Sequence, residues 1–366
     1  MTTINLNKKD FTKVLNIGGT FAGRSKVLPI LDCVKIKVSN GYLTIVSSDS
    51  ENAISKKMQI EEADGEVTFC VSFKDLSSYV KLVSGDIVTL VVNEKELEVK
   101  HEKGNVTLPL MDADEFPALK PDADCTEVKI NSALLNNWIV DARNFVGDDA
   151  LRPVMSNIYF YSKDGEIGCC GTDGQFMFSD NIKEDNGEWS FLLNKGAFKS
   201  VCDVCQDVEE VTVKIGSRNV MFVGDGVSVL ARLQEGRYPN FKSVIPVNNP
   251  IQVKLSKSEL LDAINRVKVG ASNTSCLIKI VVDGMNMQVS AQDIDFNRKA
   301  VENIMVEANG NITIGFNANK FITCLNAIST DNVVLNMSDA SRACVINEDD
   351  ENSNKIALLM PMLLND

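Results

Sequence analysis

Histidine appears once in 366 residues and tryptophan twice, and no apolar run approaches the roughly 18 residues that span a bilayer. A single histidine, His101, cannot supply most metal sites or a Ser-His-Asp triad. The segment MTTINLNKKDF has no apolar signal core, so the expectation is a cytoplasmic chain without a membrane partner. No GxxxxGK[ST] loop is present, which excludes P-loop nucleotide chemistry. Basic residues are outnumbered by acidic ones, 37 against 50, for a net charge of −13. Capture of nucleic acid by the overall field is thereby excluded, and any such contact must be local. Recognition helices, zinc fingers and aromatic RNA platforms that would read bases are missing as well. Ten cysteines are scattered through the predicted strands and helices, the pattern of reduced thiols used as small apolar side chains. The lone CxxC, Cys202 to Cys205, falls on core-facing helical positions, so neither metal nor cofactor is expected.

What the chain does have is a repeat. Ser72 to Asp86, Asn194 to Asp207 and Asn317 to Thr330 read as one amphipathic helix written three times, about 122 residues apart. Three apolar columns recur at helical spacing: Leu76/Phe198/Phe321, Val80/Cys202/Leu325 and Val83/Cys205/Ile328. Each copy opens on a side chain able to cap a first-turn amide, namely Ser72, Asn194 and Asn317. A second capped helix begins each repeat, at Asn7, Asn131 and Ser256. Between the helices lie period-two stretches such as Val34 to Val38 and Tyr42 to Val46, parted by the hairpin signal Asn40-Gly41. Proline-containing exits around Pro117 and Pro239 close the first two repeats. The predicted fold class is α+β: three tandem similar domains at 1–124, 125–247 and 248–366, each with two helices on antiparallel sheet. Such modules, joined by short linkers, form an arc if their helices face inward, and two arcs close a ring by a head-to-tail contact.

The helix faces and adjoining loops carry Lys8, Lys9, Lys13, Arg24, Lys74, Lys81, Arg143, Arg152, Lys195, Lys199, Lys257, Arg266 and Lys268. Phosphate contacts from such cations are independent of sequence and leave a protein free to slide. Two rival readings stand beside this one. Asp293 with Asp295, or Asp112, Asp114 and Glu115, would hold Mg²⁺ for phosphoryl chemistry. Alternatively, the chain is a scaffold that binds only proteins.

At Leu151-Arg-Pro-Val-Met-Ser-Asn-Ile-Tyr-Phe160, Gly171-Thr-Asp-Gly174, Glu235-Gly-Arg-Tyr-Pro-Asn-Phe241 and Met360-Pro-Met362, the sequence resembles the bacterial sliding clamp family, the beta subunit of DNA polymerase III. The resemblance covers the whole chain. It implies the DNA clamp fold, with each chain half of a homodimeric ring around double-stranded DNA, and no catalysis. The implied partners are a clamp loader, the replicative DNA polymerase and other proteins carrying a clamp-binding motif. For DNA binding it marks Arg24, Lys74, Arg152, Lys195 and Lys199. For a cleft that takes partner peptides it marks Met155, Thr172, Gly174, Gln175, Phe176, Met177, Pro239, Val244, Asn317, Lys320, Ser341, Ala343, Met360, Pro361 and Met362. For the dimer interface it marks Val106 and Leu108 against the region of Val269. Gln175, Phe176 and Leu363 depart from the family's frequent histidine, arginine and basic residue. Asp149 places a carboxylate in a DNA-contact loop.

Overall fold

The structure is a computed structural model and describes residues 1–25, 28–117 and 120–364, apart from the Glu62 side chain. Six α-helices are present among the described residues: α1 (Lys8–Gly18), α2 (Phe73–Leu82), α3 (Ser132–Ala142), α4 (Phe198–Val204), α5 (Lys257–Val267) and α6 (Ala318–Asn326). Five begin at the predicted caps. The side chains of Asn7, Ser72, Asn131, Ser256 and Asn317 each accept a first-turn amide. The sixth differs. The helix expected from Asn194 starts as a 3-10 turn at Lys195–Ala197, and its α-helical part is only seven residues long. Gly196, a poor helix former, sits in that first turn. The shift brings Val201 and Val204 into the core beside Cys205 and leaves Cys202 half-buried. Burial pushes the Cys205 thiol up to about 12, as suits an inert core sulfur.

Among the described residues strand pairing is antiparallel throughout. Asn40 and Gly41 both take positive φ, 53° and 74°, as a two-residue hairpin between Cys33–Ser39 and Tyr42–Ser48 requires. The chain forms two compact units, and both draw on the middle repeat. The first comprises Met1–Asn137 and Gly196–Leu233, with a 13-stranded sheet. In it Asn52–Gln59 pairs with Val227–Arg232, which joins first-repeat strands to middle-repeat strands. Phe11, Leu15, Leu76 and Val80 bury completely or nearly so against Val34, Ile36, Ile45 and Leu90. Each such side chain contributes about 1.5–3 kcal/mol of burial.

The second unit comprises Trp138–Lys195 and Gln234–Asp366, with a nine-stranded and a four-stranded sheet. Phe176–Lys183 of the middle repeat pairs with Ile356–Leu359 of the last. Phe145 packs on Phe176 and Phe178, and Trp138 on Phe160, with the Trp138 indole N–H donating to Asp180 at 2.9 Å.

One tie recurs in all three repeats. The residue opening the first helix reaches a carbonyl at or shortly beyond the end of the second: Lys8 Nζ to Val83 O, Ser132 Oγ to Val208 O, and Lys257 Nζ to Ile328 O at 2.8 Å. It fastens the start of the first helix to the chain leaving the second, and in the first and last repeats it gives a donor to a carbonyl at or just past the helix C-terminus.

Candidate functional site

The Thr172–Phe176 turn is the hub of the second unit's candidate cleft. Thr172 Oγ1 donates to Phe176 O at 2.7 Å and accepts from the Gly174 amide at 3.0 Å. Asp173 Oδ1 accepts from the amides of Gln175 and Phe176, at 2.7 and 3.1 Å. Gly174 sits at φ +89°, where a Cβ would stand 2.8 Å from Arg152 Nη1. Three neighbours fasten the turn from outside. Lys320 of α6 donates to Asp173 Oδ2 at 2.6 Å and to Gln175 Oε1, and its ammonium lies 4.8 Å from the Phe176 ring centre. The Asn317 cap sets that lysine, accepting from its amide at 3.0 Å. From the tail, the Met360 amide donates to Gln175 O at 2.9 Å, and two residues on the Met362 amide donates to Gly315 O at 2.8 Å.

Beside the turn lies an apolar floor. Met177, Ala343, Leu358, Tyr238 and Phe241 form one buried cluster, with Val154 and Ile245 at its margin. Tyr238 stacks on Tyr159 at 4.9 Å and 9°, and its hydroxyl donates to Cys170 O at 3.4 Å. Burial pushes the Tyr238 phenol well above its ordinary range, so it stays a neutral donor. Around this floor, Val244 is 60% exposed and Met360 42%, while Pro239, Gly174, Gln175 and Ser341 are also exposed. Met155 and Pro361 are half-buried. Phe176 is buried against Phe145, so only its ring face toward Lys320 meets the cleft side. Ser341 Oγ donates to Asp339, whose carboxyl is held below its ordinary value by that bond and by the Ser341 and Arg342 amides. The residues expected in the cleft therefore all lie in one unit, gathered around one turn and one floor. Tyr159, Tyr161 and Phe241 are not among the expected cleft residues, although Tyr159 and Phe241 lie in the motifs that carry the resemblance and Tyr159-x-Tyr161 in a strand signals two rings on one face.

The basic candidates are less uniform. Arg24, Lys74 and Lys199 are exposed, with the Arg24 guanidinium 5.0 Å over Phe21 and 3.5 Å from Gly196 O. Arg152 is paired with Asp149 at 3.0 Å, and Lys195 with Asp148 at 3.1 Å. Hydrogen bonds from the Leu151 amide and from Arg152 hold Asp149 below its ordinary value. Of the wider set, Lys8 and Lys257 are spent on the helix ties and Arg266 on Glu302 at 3.0 and 3.2 Å. At the expected interface, Val269 is 69% exposed, Val106 half-buried and Leu108 buried. The carboxylates of the Mg²⁺ reading serve turns: Asp293 binds Arg298 at 2.6 Å and Asp112 caps the Asp114 amide at 2.9 Å. Among the described residues no group of three or more His, Cys, Asp or Glu could hold a metal.

A family model of the DNA polymerase III beta subunit N-terminal domain matches residues 2–120, and one of its C-terminal domain matches residues 242–363. The chain belongs to the DNA polymerase III beta subunit family. Among curated relatives, the beta sliding clamp of Streptococcus pneumoniae (strain ATCC BAA-255 / R6) is 22% identical over 381 residues, covering 100% of both chains. That of Pseudomonas aeruginosa is also 22% identical and covers 98% of this chain and 99% of its own. A crystal structure of the Pseudomonas aeruginosa clamp bound to griselimycin superposes with TM-score 0.94 at 19% identity, over 99% of this chain and 100% of that one. The Thermotoga maritima beta subunit gives TM-score 0.91 at 22% identity, with 100% of each chain covered. At such identities the structures establish a shared fold, and the chain has the three-domain clamp fold of this family.

Proposed function

We propose that the protein is a non-catalytic sliding clamp: two copies close head to tail around duplex DNA and tether the replicative polymerase and other motif-bearing proteins. Counted by repeat, its domains are 1–124, 125–247 and 248–366. The observation that carries the reading is an unfinished pattern. The hairpin strand Asn52–Gln59 of the first repeat pairs with Val227–Arg232, the last strand of the second. Its counterpart Phe176–Lys183 pairs with Ile356–Leu359, the last strand of the third. The third counterpart, Arg298–Met305, is a sheet edge, with Val301 and Met305 exposed. The one remaining last strand, Gly104–Met111, pairs with Val67–Ser72 only at Leu110 and Met111. Its outer side from Gly104 to Pro109 faces no strand among the described residues.

Two open edges of this kind are otherwise a liability. Satisfying them with a second copy repeats the internal junction and leaves no free end. The register follows from the internal junctions: Thr107 of one copy lies opposite Lys299 of the other. A Thr107→Cys/Lys299→Cys double variant should therefore cross-link into a covalent dimer under mild oxidation. Absence of the cross-link, with both thiols accessible, counts against the register.

Retention by enclosure distinguishes a ring from a gripping protein. The complex should survive high salt on closed circular DNA and be lost after linearisation. The pairing of Arg152 and Lys195 with carboxylates favours a second reading, a protein-only scaffold, which predicts no difference between circle and line. For the cleft, Met362→Ala with Leu364→Ala should weaken a polymerase-derived peptide on the order of tenfold while leaving the dimer intact. Unchanged affinity removes the tail from the site.

A further inference from the structure

We propose that Pro109 leaves the junction between two copies one main-chain hydrogen bond short of the junctions inside each copy, and thereby lowers the cost of separating the copies. The inference rests on the ring reading above. Within each copy, both junctions end on the same bond. The Arg232 amide donates to Glu51 O at 2.9 Å, and the Met360 amide donates to Gln175 O at 2.9 Å. In each case a residue at the end of the last strand meets the carbonyl before the final residue of the facing hairpin turn.

The position equivalent to Arg232 in the first repeat can be read directly. The Leu233 amide donates to Arg218 O at 2.9 Å, and the Leu110 amide donates to Lys95 O at 2.9 Å. Both donor and acceptor are displaced by 123 positions. Leu110 is therefore the counterpart of Leu233, and Pro109 the counterpart of Arg232. Main-chain groups of successive residues in an antiparallel strand point to opposite sides. Since Leu110 points toward Lys95, position 109 points to the open side, as Arg232 does toward Glu51. Proline has no N–H to offer there.

Proline on an exposed strand also blocks indiscriminate edge pairing. Here it stands where its two counterparts make the terminal bond, which gives the guard a second effect. The facing turn differs as well. The internal turns close between Asp49 and Asn52 and around Gly174-Gln175, whereas the third spans Asp293 to Arg298, with the Asn297 amide donating to Ile294 O at 3.3 Å.

The test is Pro109→Ala in the full chain, with Pro109→Ser as a second route to the same N–H. Each ring contains two such junctions, so restoring a bond in both should tighten the dimer dissociation constant by roughly tenfold or more. Residence on closed circular DNA should lengthen in step, and the new amide at 109 should be protected from hydrogen exchange in the dimer but not in the monomer. Unchanged or weaker dimerisation in both variants, or free exchange at 109 in the dimer, overturns the proposal. A wild-type chain that stays monomeric and slips off circles sinks the ring reading, and this inference with it.

Discussion

Two turns, Ser48 to Asn52 in the first unit and Thr172 to Phe176 in the second, share one hydrogen-bond pattern in different settings. Ser48 Oγ donates to Asn52 O at 2.9 Å and accepts from the Ser50 amide at 3.1 Å, as Thr172 does with Phe176 and Gly174. Asp49 Oδ1 takes the amides of Glu51 and Asn52, as Asp173 Oδ1 takes those of Gln175 and Phe176. The backbone is thus common to both. The side chains around it are not. Lys320 grips the second turn, whereas the corresponding stretch of the first unit, Gly196-Ala197 in the 3-10 turn before α4, offers no side chain long enough to do so. Met177 in the second floor corresponds to Ala53, which lines a cavity of about 220 Å³ with Phe116, Pro117, Met221 and Leu230. The turn's scaffold repeats in both units, and the candidate cleft of the second differs in what leans on it.

The largest test of this contrast removes an equivalent leucine from each floor. Leu358→Ala should cost the second unit about 2–5 kcal/mol in chemical denaturation. Leu230→Ala, beside space that is already open, should fall at or below the lower end of that range. Equal losses would mean that the two floors are packed alike.

Next comes the latch. Lys320→Met should destabilise by about 1 kcal/mol, since the pair with Asp173 is only partly shielded. It should also weaken a polymerase-derived peptide, measured by fluorescence anisotropy, whereas unchanged affinity would confine the lysine to holding the turn.

A similar magnitude is expected at the turn apex. Ser50 is held at φ +81° and Gly174 at φ +89°. Ser50→Gly should gain on the order of 1 kcal/mol and Gly174→Ser lose at least as much, read as opposite shifts in melting temperature.

The smallest effects are pH-dependent and lie in a network without a described twin. Lys355 Nζ is 3.0 Å from Asp141 and 3.8 Å from Glu348. Burial raises Asp141 above its ordinary value, with Lys355 only partly offsetting it. Its contribution is therefore greatest at low pH and is lost as pH rises through the raised value. Burial also works against the Glu348 carboxylate, but bonds from Ser353 and Ser329 and the Lys355 charge outweigh it and hold the group below its ordinary value. That contribution is present above the ordinary value and lost as pH falls. Asp141→Asn should flatten the first change and Glu348→Gln the second in stability–pH curves.

Much of the scaffold was legible because it is written locally. Caps, helical columns and the Asn40-Gly41 hairpin each depend on neighbours within a few positions, and they appear where expected except at the Asn194 cap and the Cys202 column position of the middle repeat. The short α4 was misjudged because Gly196 acts against an otherwise matching column. The expected cleft residues came from the resemblance, and their grouping could not be read from spacing, since the tail meets Gln175 and Gly315 only through sheet pairing between distant segments. Nor could sequence reveal that Lys8 and Lys257, among the suggested surface cations, are turned onto helix-end carbonyls. Charge is visible in a sequence, but the acceptor it finds is not.

The division of the middle repeat has a consequence for how the molecule is made. Ribosomal synthesis delivers Phe176–Lys183 long before Ile356–Leu359, so that strand waits without its partner while nearly half the chain is still being translated. The floor needs Leu358 and the turn needs the Met360 amide. Nascent or truncated chains ending before these residues would lack Leu358 in the floor and the Met360 amide on the turn, so the candidate cleft is assembled only after the floor's last strand has been made.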